Sequence, residues 1–284
     1  MKQRLINVLL IVGLVAAALP GCVDKSGRFG KGAVDLLRWT AVNYDYPANS
    51  QPEAKWVLSE DKQSVEQTVN ADPSIFVSEW DIQHIRISGA WMMKNSSDDD
   101  LVGFVFGYQN PGQFYLFDWK ARRQDDSAVG TAKKGMAVKI VNTPYRGPGS
   151  GNLKPGVPFD GKDLWDTKGT EKVTLLHYEP TEGWQCDKTY LFKLDFSPNE
   201  FRIVVKDGKR VILDKTMPHS TFIKGKFGFY NFSQGNVVYR GFHTVRLDSS
   251  GAIFWWLILL LLLISASIVV LFLKFKRTSR EGGS

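Results

Sequence analysis

The sequence predicts an all-β sandwich followed by a transmembrane helix. Three observations point there. Short runs rich in Val, Ile, Phe, Tyr and Trp recur from Trp56 to Val245, separated by turn residues, and such runs favour strands. Helical periodicity is nearly absent between the two ends of the chain. Ala252–Leu273 is 22 residues without a charge, long enough to cross a hydrocarbon core of about 30 Å.

The elements follow in order. Met1–Gly21 opens with Lys2 and Arg4, runs apolar from Leu5 to Leu19 and ends in small residues, the anatomy of a secretory signal. Leu19-Pro20-Gly21-Cys22 resembles a bacterial lipobox, in which the Cys22 thiol takes lipid and becomes the mature N-terminus. Pro20 is atypical there, and ordinary signal cleavage or an uncleaved anchor are the alternatives. Residues 22–55 read as a spacer holding one early strand. Strand patterns then fill 56–247. Trp80 to Met93 alternates in part, and Gly103–Tyr108 and Gln113–Trp119 are near-continuous apolar runs around the Asn110-Pro111-Gly112 turn. Met136–Val141, Glu171–His177, Thr189–Phe196, Glu200–Val205, Lys209–Leu213, Phe227–Phe232 and Val237–Val245 follow. Asp207-Gly208 marks a tight hairpin. Residues 142–163, rich in Gly, Pro and Asn, form a long loop carrying Tyr145-Arg146. After the domain, Trp255 and Trp256 stand where interfacial anchors stand, and residues 274–284 form a basic tail. The tail belongs in the cytoplasm by the positive-inside rule, which puts the main domain outside, in the periplasm or at the cell surface.

Charge and composition exclude whole classes. The formal net charge of the 284 residues is +7. Lys2 and Arg4 supply two of it, and the tail supplies three through Lys274, Lys276, Arg277 and Arg280 against Glu281. The body is left near neutral with no basic face, so nucleic acid is not an expected partner. There are 2 cysteines; Cys22 can pair with Cys186 or carry lipid, and neither outcome makes a disulfide scaffold.

Asp98-Asp99-Asp100 is the most pointed local feature. Three adjacent carboxylates repel one another, and a hard cation with oxygen ligands, calcium above all, relieves them. Side chains alternate along a strand, so one ion can meet all three only from a loop. Asn95 and Asp81 are the further candidate ligands, with Asp118 flanking the same region.

The triplet also sits in a longer pattern. Its spacing to Gly103–Gln109 (GFVFGYQ) and Phe114–Lys120 (FYLFDWK) resembles the C-terminal domain of thrombospondins. Gln67–Pro73, Leu164-Trp165-Asp166-Thr167, Gly183-Trp184 with Lys188-Thr189-Tyr190, and Gly228–Gln234 extend the resemblance in family order over about 56–247. It implies a lectin-like sandwich, of jelly-roll or concanavalin-like type, that binds calcium and serves extracellular adhesion rather than catalysis. The family's calcium-repeat region, rich in Asp-x-Asp-x-Asp-Gly, is absent here. The expected function is a membrane-anchored, extracytoplasmic, calcium-binding adhesion or recognition module, with a protein or carbohydrate ligand.

The alternative is a surface glycoside hydrolase or carbohydrate-binding protein of related architecture. Glu79-Trp80-Asp81-Ile82-Gln83-His84 is similar to the Glu-x-Asp-x-x-Glu strand of lectin-like glycosidases. On a strand, Glu79, Asp81 and Gln83 share a face. A retaining enzyme needs two carboxyl groups about 5–5.5 Å apart, and His84 replaces the last carboxylate of the pattern. His84, His177, His219 and His243 are dispersed, without zinc spacing. An envelope scaffold with no ligand of its own is the plainest reading.

Overall fold

The computed structural model describes residues 32–44, 51–94, 97–127, 129–143, 161–247, 256–265 and 267–268. In chain order the strands are β1 (Gly32–Ala33), β2 (Thr40–Asn43), β3 (Trp56–Leu58), β4 (Ser64–Gln67), β5 (Ser74–Ile82) and β6 (Ile85–Met93). There follow β7 (Leu101–Asn110), β8 (Gln113–Lys120), β9 (Gln124–Asp126), β10 (Gly130–Ala132), β11 (Gly135–Asn142) and β12 (Val173–Glu179). The last are β13 (Thr189–Phe196), β14 (Glu200–Asp207), β15 (Arg210–Pro218), β16 (Gly225–Phe232) and β17 (Val237–Arg246).

They form two main antiparallel sheets. One has seven strands in the order β12-β11-β8-β7-β16-β5-β2. The other runs β15-β14-β13-β6-β17-β4-β3, with β1 paired to β17 as its eighth strand. The hairpin β9–β10 stands apart.

The period-2 pattern decides how the sheets pack. Phe104, Phe117, Phe227 and Phe229 from the seven-stranded sheet meet Trp91, Phe192 and Phe242 from the eight-stranded one in a single aromatic core. Fully burying one such ring contributes about 1.5–3 kcal/mol. Their strand neighbours Val105, Leu116 and Tyr230 point the other way, into a second core on the outer face of the seven-stranded sheet. Leu164 and Trp165 cover that face, delivered by the short 3-10 helix Gly161–Leu164 and the chain after it. The near-continuous apolar runs of β7 and β8 are therefore strands buried on both faces.

The Trp80–Met93 stretch is split between two strands in different sheets. β5 ends at Ile82, and the chain crosses through His84, whose φ is +53°. The Asp207-Gly208 hairpin forms as its sequence predicts, with Gly208 at φ +58°. The expected spacer contributes β1 and β2 to the sandwich itself.

The strands also set a polarity. Leu101 pairs with Phe232 and Met93 with Val237 at one end. Ile85 pairs with Arg246, and Leu247 donates its N–H to the His84 carbonyl, at the other. β17 spans 10 residues between these ends, roughly 30 Å of extended chain.

Of the expected membrane span, residues 256–265 and 267–268 are helical, and Trp256, Leu261 and Leu262 are more than 60% exposed. Among the described residues no helix is long and apolar enough to cross a membrane. The expected signal 1–21, Cys22, Asn95, the Tyr145-Arg146 pair and the tail 274–284 lie outside the described residues.

Candidate functional site

Asp98, Asp99 and Asp100 enter β7 at the end of the sheet where β6 stops and β17 starts. One carboxylate oxygen from each lies within 4.8 Å of the others. The loop conformation that one-ion chelation would need is present, but another group uses it. Lys120, the last residue of β8, projects into the triplet with its side chain only 1% exposed. Its Nζ lies 2.6 Å from Asp99 Oδ1, 2.6 Å from Asp100 Oδ1, 3.0 Å from the Asp99 carbonyl and 3.1 Å from Gln124 Oε1. Three ammonium hydrogens thus face four oxygens, all at hydrogen-bond length. Arg122 Nε adds a second cation, 2.9 Å from Asp99 Oδ2. The Trp165 ring centroid lies 5.3 Å from Lys120 Nζ, a cation–π distance.

The rest of the loop is pinned as fully. The Asp100 N–H donates to Gln234 Oε1 at 3.1 Å, and its carbonyl accepts from Trp184 Nε1 at 3.0 Å. The Ala121 N–H donates to the Asp99 carbonyl at 3.1 Å. Asn70 Nδ2 donates to Asp98, whose other oxygen accepts from the Asp99 N–H. Burial pushes the Asp100 carboxyl up to about 7; the hydrogen-bonded Asp98 carboxyl adds to the rise, and Lys120 opposes it.

Calcium takes six to eight oxygens at about 2.3–2.6 Å. The residues present do not fit an ion chelated by all three carboxylates, because Lys120 already bonds Asp99 and Asp100. Asp98, in turn, is hydrogen-bonded to Asn70, to the Asp99 N–H and to the Asp100 carboxyl. Asp81 and Asp118 do not join the cluster. Asp81 pairs with Lys226 at the far end of the sheet, six positions along β16 from Phe232, roughly 20 Å away. Asp118 lies inside the sheet, 3% exposed and 2.9 Å from the wholly buried Lys139 Nζ. Burial raises its carboxyl and Lys139 opposes the rise.

The glycosidase pattern also dissolves. Glu79 is ion-paired with Arg38 at 3.2 Å, and the strand ends at Ile82, so Gln83 and His84 lie in the crossing turn. Asp81 is exposed. Cys186 is half-buried and packs against the main core.

Residues 51–245 match the profile of the thrombospondin C-terminal region. The chain belongs to that family. In this thrombospondin C-terminal domain the acidic triplet stands at the head of the aromatic strand pair β7–β8. It is 31% identical over 214 residues to thrombospondin-1 of Xenopus laevis, across 72% of this chain and 18% of that protein. It is 28% identical over 214 residues to human cartilage oligomeric matrix protein, across 72% of this chain and 27% of that one. The chain thus spans less than a third of the length of these relatives. Among solved structures it is similar to the carbohydrate binding module CBM66 from Bacillus subtilis, at 13% identity and a TM-score of 0.46 over 76% of this chain and 99% of that one. It is also similar to the legume lectin-like domain from Entamoeba histolytica, at 10% identity and a TM-score of 0.38 over 72% and 91%. Neither likeness bears on function at this level.

Proposed function

We propose that this protein is a non-catalytic recognition and adhesion module, exported by residues 1–21 and held in the cell membrane by 252–273 with its sandwich outside. The observation that carries this is the thrombospondin C-terminal match over 51–245. The apolar, exposed helix at 256–265 and the basic residues after 273 support the anchor. Cys22 is the point of lipid attachment in the same scheme, so the chain meets the membrane at both ends. The ligand, a protein or a carbohydrate, is met at the rim built by residues 97–100, 121–124 and 184–187. That rim lies at the end of β17 opposite the tether.

Cells displaying the full chain provide the test. They should adhere to glycan or matrix-protein arrays, and Asp98→Ala should cut that adhesion several-fold. Protease added outside should digest the sandwich and spare the tail. A sandwich protected from external protease would overturn the topology. Release of reducing sugar from any polysaccharide, lost in Glu79→Gln, would overturn the non-catalytic assignment.

A further inference from the structure

We infer that Lys120 is a built-in cation of the acidic loop, filling the place a metal ion would take and keeping the rim ordered without calcium. The geometry is that of a coordinated ion. Four oxygens from the loop and from β9 converge on one nitrogen at 2.6–3.1 Å. The ammonium is almost wholly removed from water, so it cannot trade these partners for solvent. A buried ammonium this close to carboxylates persists because its hydrogen bonds are complete; remove it, and the carboxylates are left without their partner. Charge agrees with position. Lys120 and Arg122 bring two unit charges to Asp99 and Asp100, matching one divalent ion.

The covalent frame makes the arrangement permanent. Lys120 sits in β8 between Phe117 and Trp119 of the main core and the Ala121 amide that binds the Asp99 carbonyl. A metal ion could leave; this cation cannot. Asp99 and Asp100 have protein partners for their carboxylates and carbonyls as well. No part of their order waits on an ion. Whatever the domain recognises, it should present the same rim in calcium-poor and calcium-rich surroundings.

Differential scanning calorimetry of the full chain in detergent tests this, in EDTA and in millimolar calcium. The wild type should melt at the same temperature in both. Lys120→Met should melt roughly 10 °C lower in EDTA and regain part of that loss in calcium, because the vacated place then offers the Asp99 and Asp100 carboxylates to a metal. A comparable drop of the wild type in EDTA overturns the inference. So does a Lys120→Met protein that melts like the wild type, or one destabilised but indifferent to calcium. Where Lys120→Met fails to fold, Lys120→Gln keeps the bulk and removes the charge, and the same outcomes decide. Hydrogen exchange at the Asp99 and Asp100 amides of the wild type decides independently. Slow exchange unchanged by EDTA supports the inference; exchange accelerated by EDTA overturns it.

Discussion

Two buried lysines stand on the same face of the seven-stranded sheet, one on β8 and one on β11, and their surroundings differ. Lys139 meets one carboxylate, Asp118, at 2.9 Å and donates to the Leu164 carbonyl at 2.9 Å. The pair is neutral, closed off from water, and ties the 3-10 helix to the sheet. Lys120 meets two carboxylates, with Asp98 beside them, and ties down the acidic loop. Arg122 reaches the same cluster from solvent, 70% exposed. The first site is balanced in charge and buried. The second holds more acid than buried base and opens on water at one side. The closed pair holds the interior of the sheet, and the open cluster holds its edge.

The largest expected effect breaks the closed member. Lys139→Met leaves Asp118 buried without a counter-ion and should cost about 3–5 kcal/mol in urea denaturation. Replacing both partners, with Asp118→Leu added, should restore most of that loss. A single substitution costing under about 1 kcal/mol would dissolve the distinction between the two lysines.

A smaller effect comes from a group with no counter-ion. His219 packs against Phe196 at 5.1 Å between ring centroids and donates to or accepts from no carboxylate; its Nε2 lies 2.7 Å from the Ser197 carbonyl. Burial lowers its pKa, and the backbone contacts at Ser197 and Glu200 oppose the shift. The folded state therefore holds the neutral ring and binds fewer protons than the unfolded chain. Its contribution is complete above the ordinary histidine value and lost as pH falls below it. His219→Phe should flatten the pH dependence of stability between about pH 5 and 7; an unchanged slope would assign that dependence elsewhere.

The smallest effect belongs to an ion pair in water. Arg202 and Asp214 form two hydrogen bonds, at 2.7 and 2.6 Å, on the outside of the eight-stranded sheet. Asp214→Ala should change stability by about 0–1 kcal/mol. A larger loss would mean that exposure is not what separates strong from weak pairs here.

Much of this was legible in the residues. The strands Thr189–Phe196, Phe114–Trp119 and Phe227–Phe232 announce themselves by aromatic density, and Asp207-Gly208 by its turn chemistry. The break at Gln83-His84 was hidden, because no Gly or Pro marks it and His84 takes a left-handed conformation that its sequence does not advertise. The acidic triplet was visible as charge, but its partner was not. A lysine at the end of Phe-Asp-Trp-Lys and another inside Ala-Val-Lys-Ile are the available signals: a cation in an apolar strand needs an acid on the same face. Which acid it finds depends on register, and register between β7, β8 and β11 is a long-range property. Asp81 was misplaced for the same reason, since nearness in the chain says little about which end of a sheet a residue reaches.

The direction of β17 carries a mechanical consequence. A chain tethered beyond Arg246 and gripped at the opposite rim is pulled along its strands. β17 lies within its sheet, hydrogen-bonded to β6 on one side and to β4 and β1 on the other. Its hydrogen bonds run across the pulling direction, so they bear load together, in shear, instead of opening one at a time. Under the anchoring and adhesion proposed above, load would enter the sandwich through an inner strand, where shear resists it best.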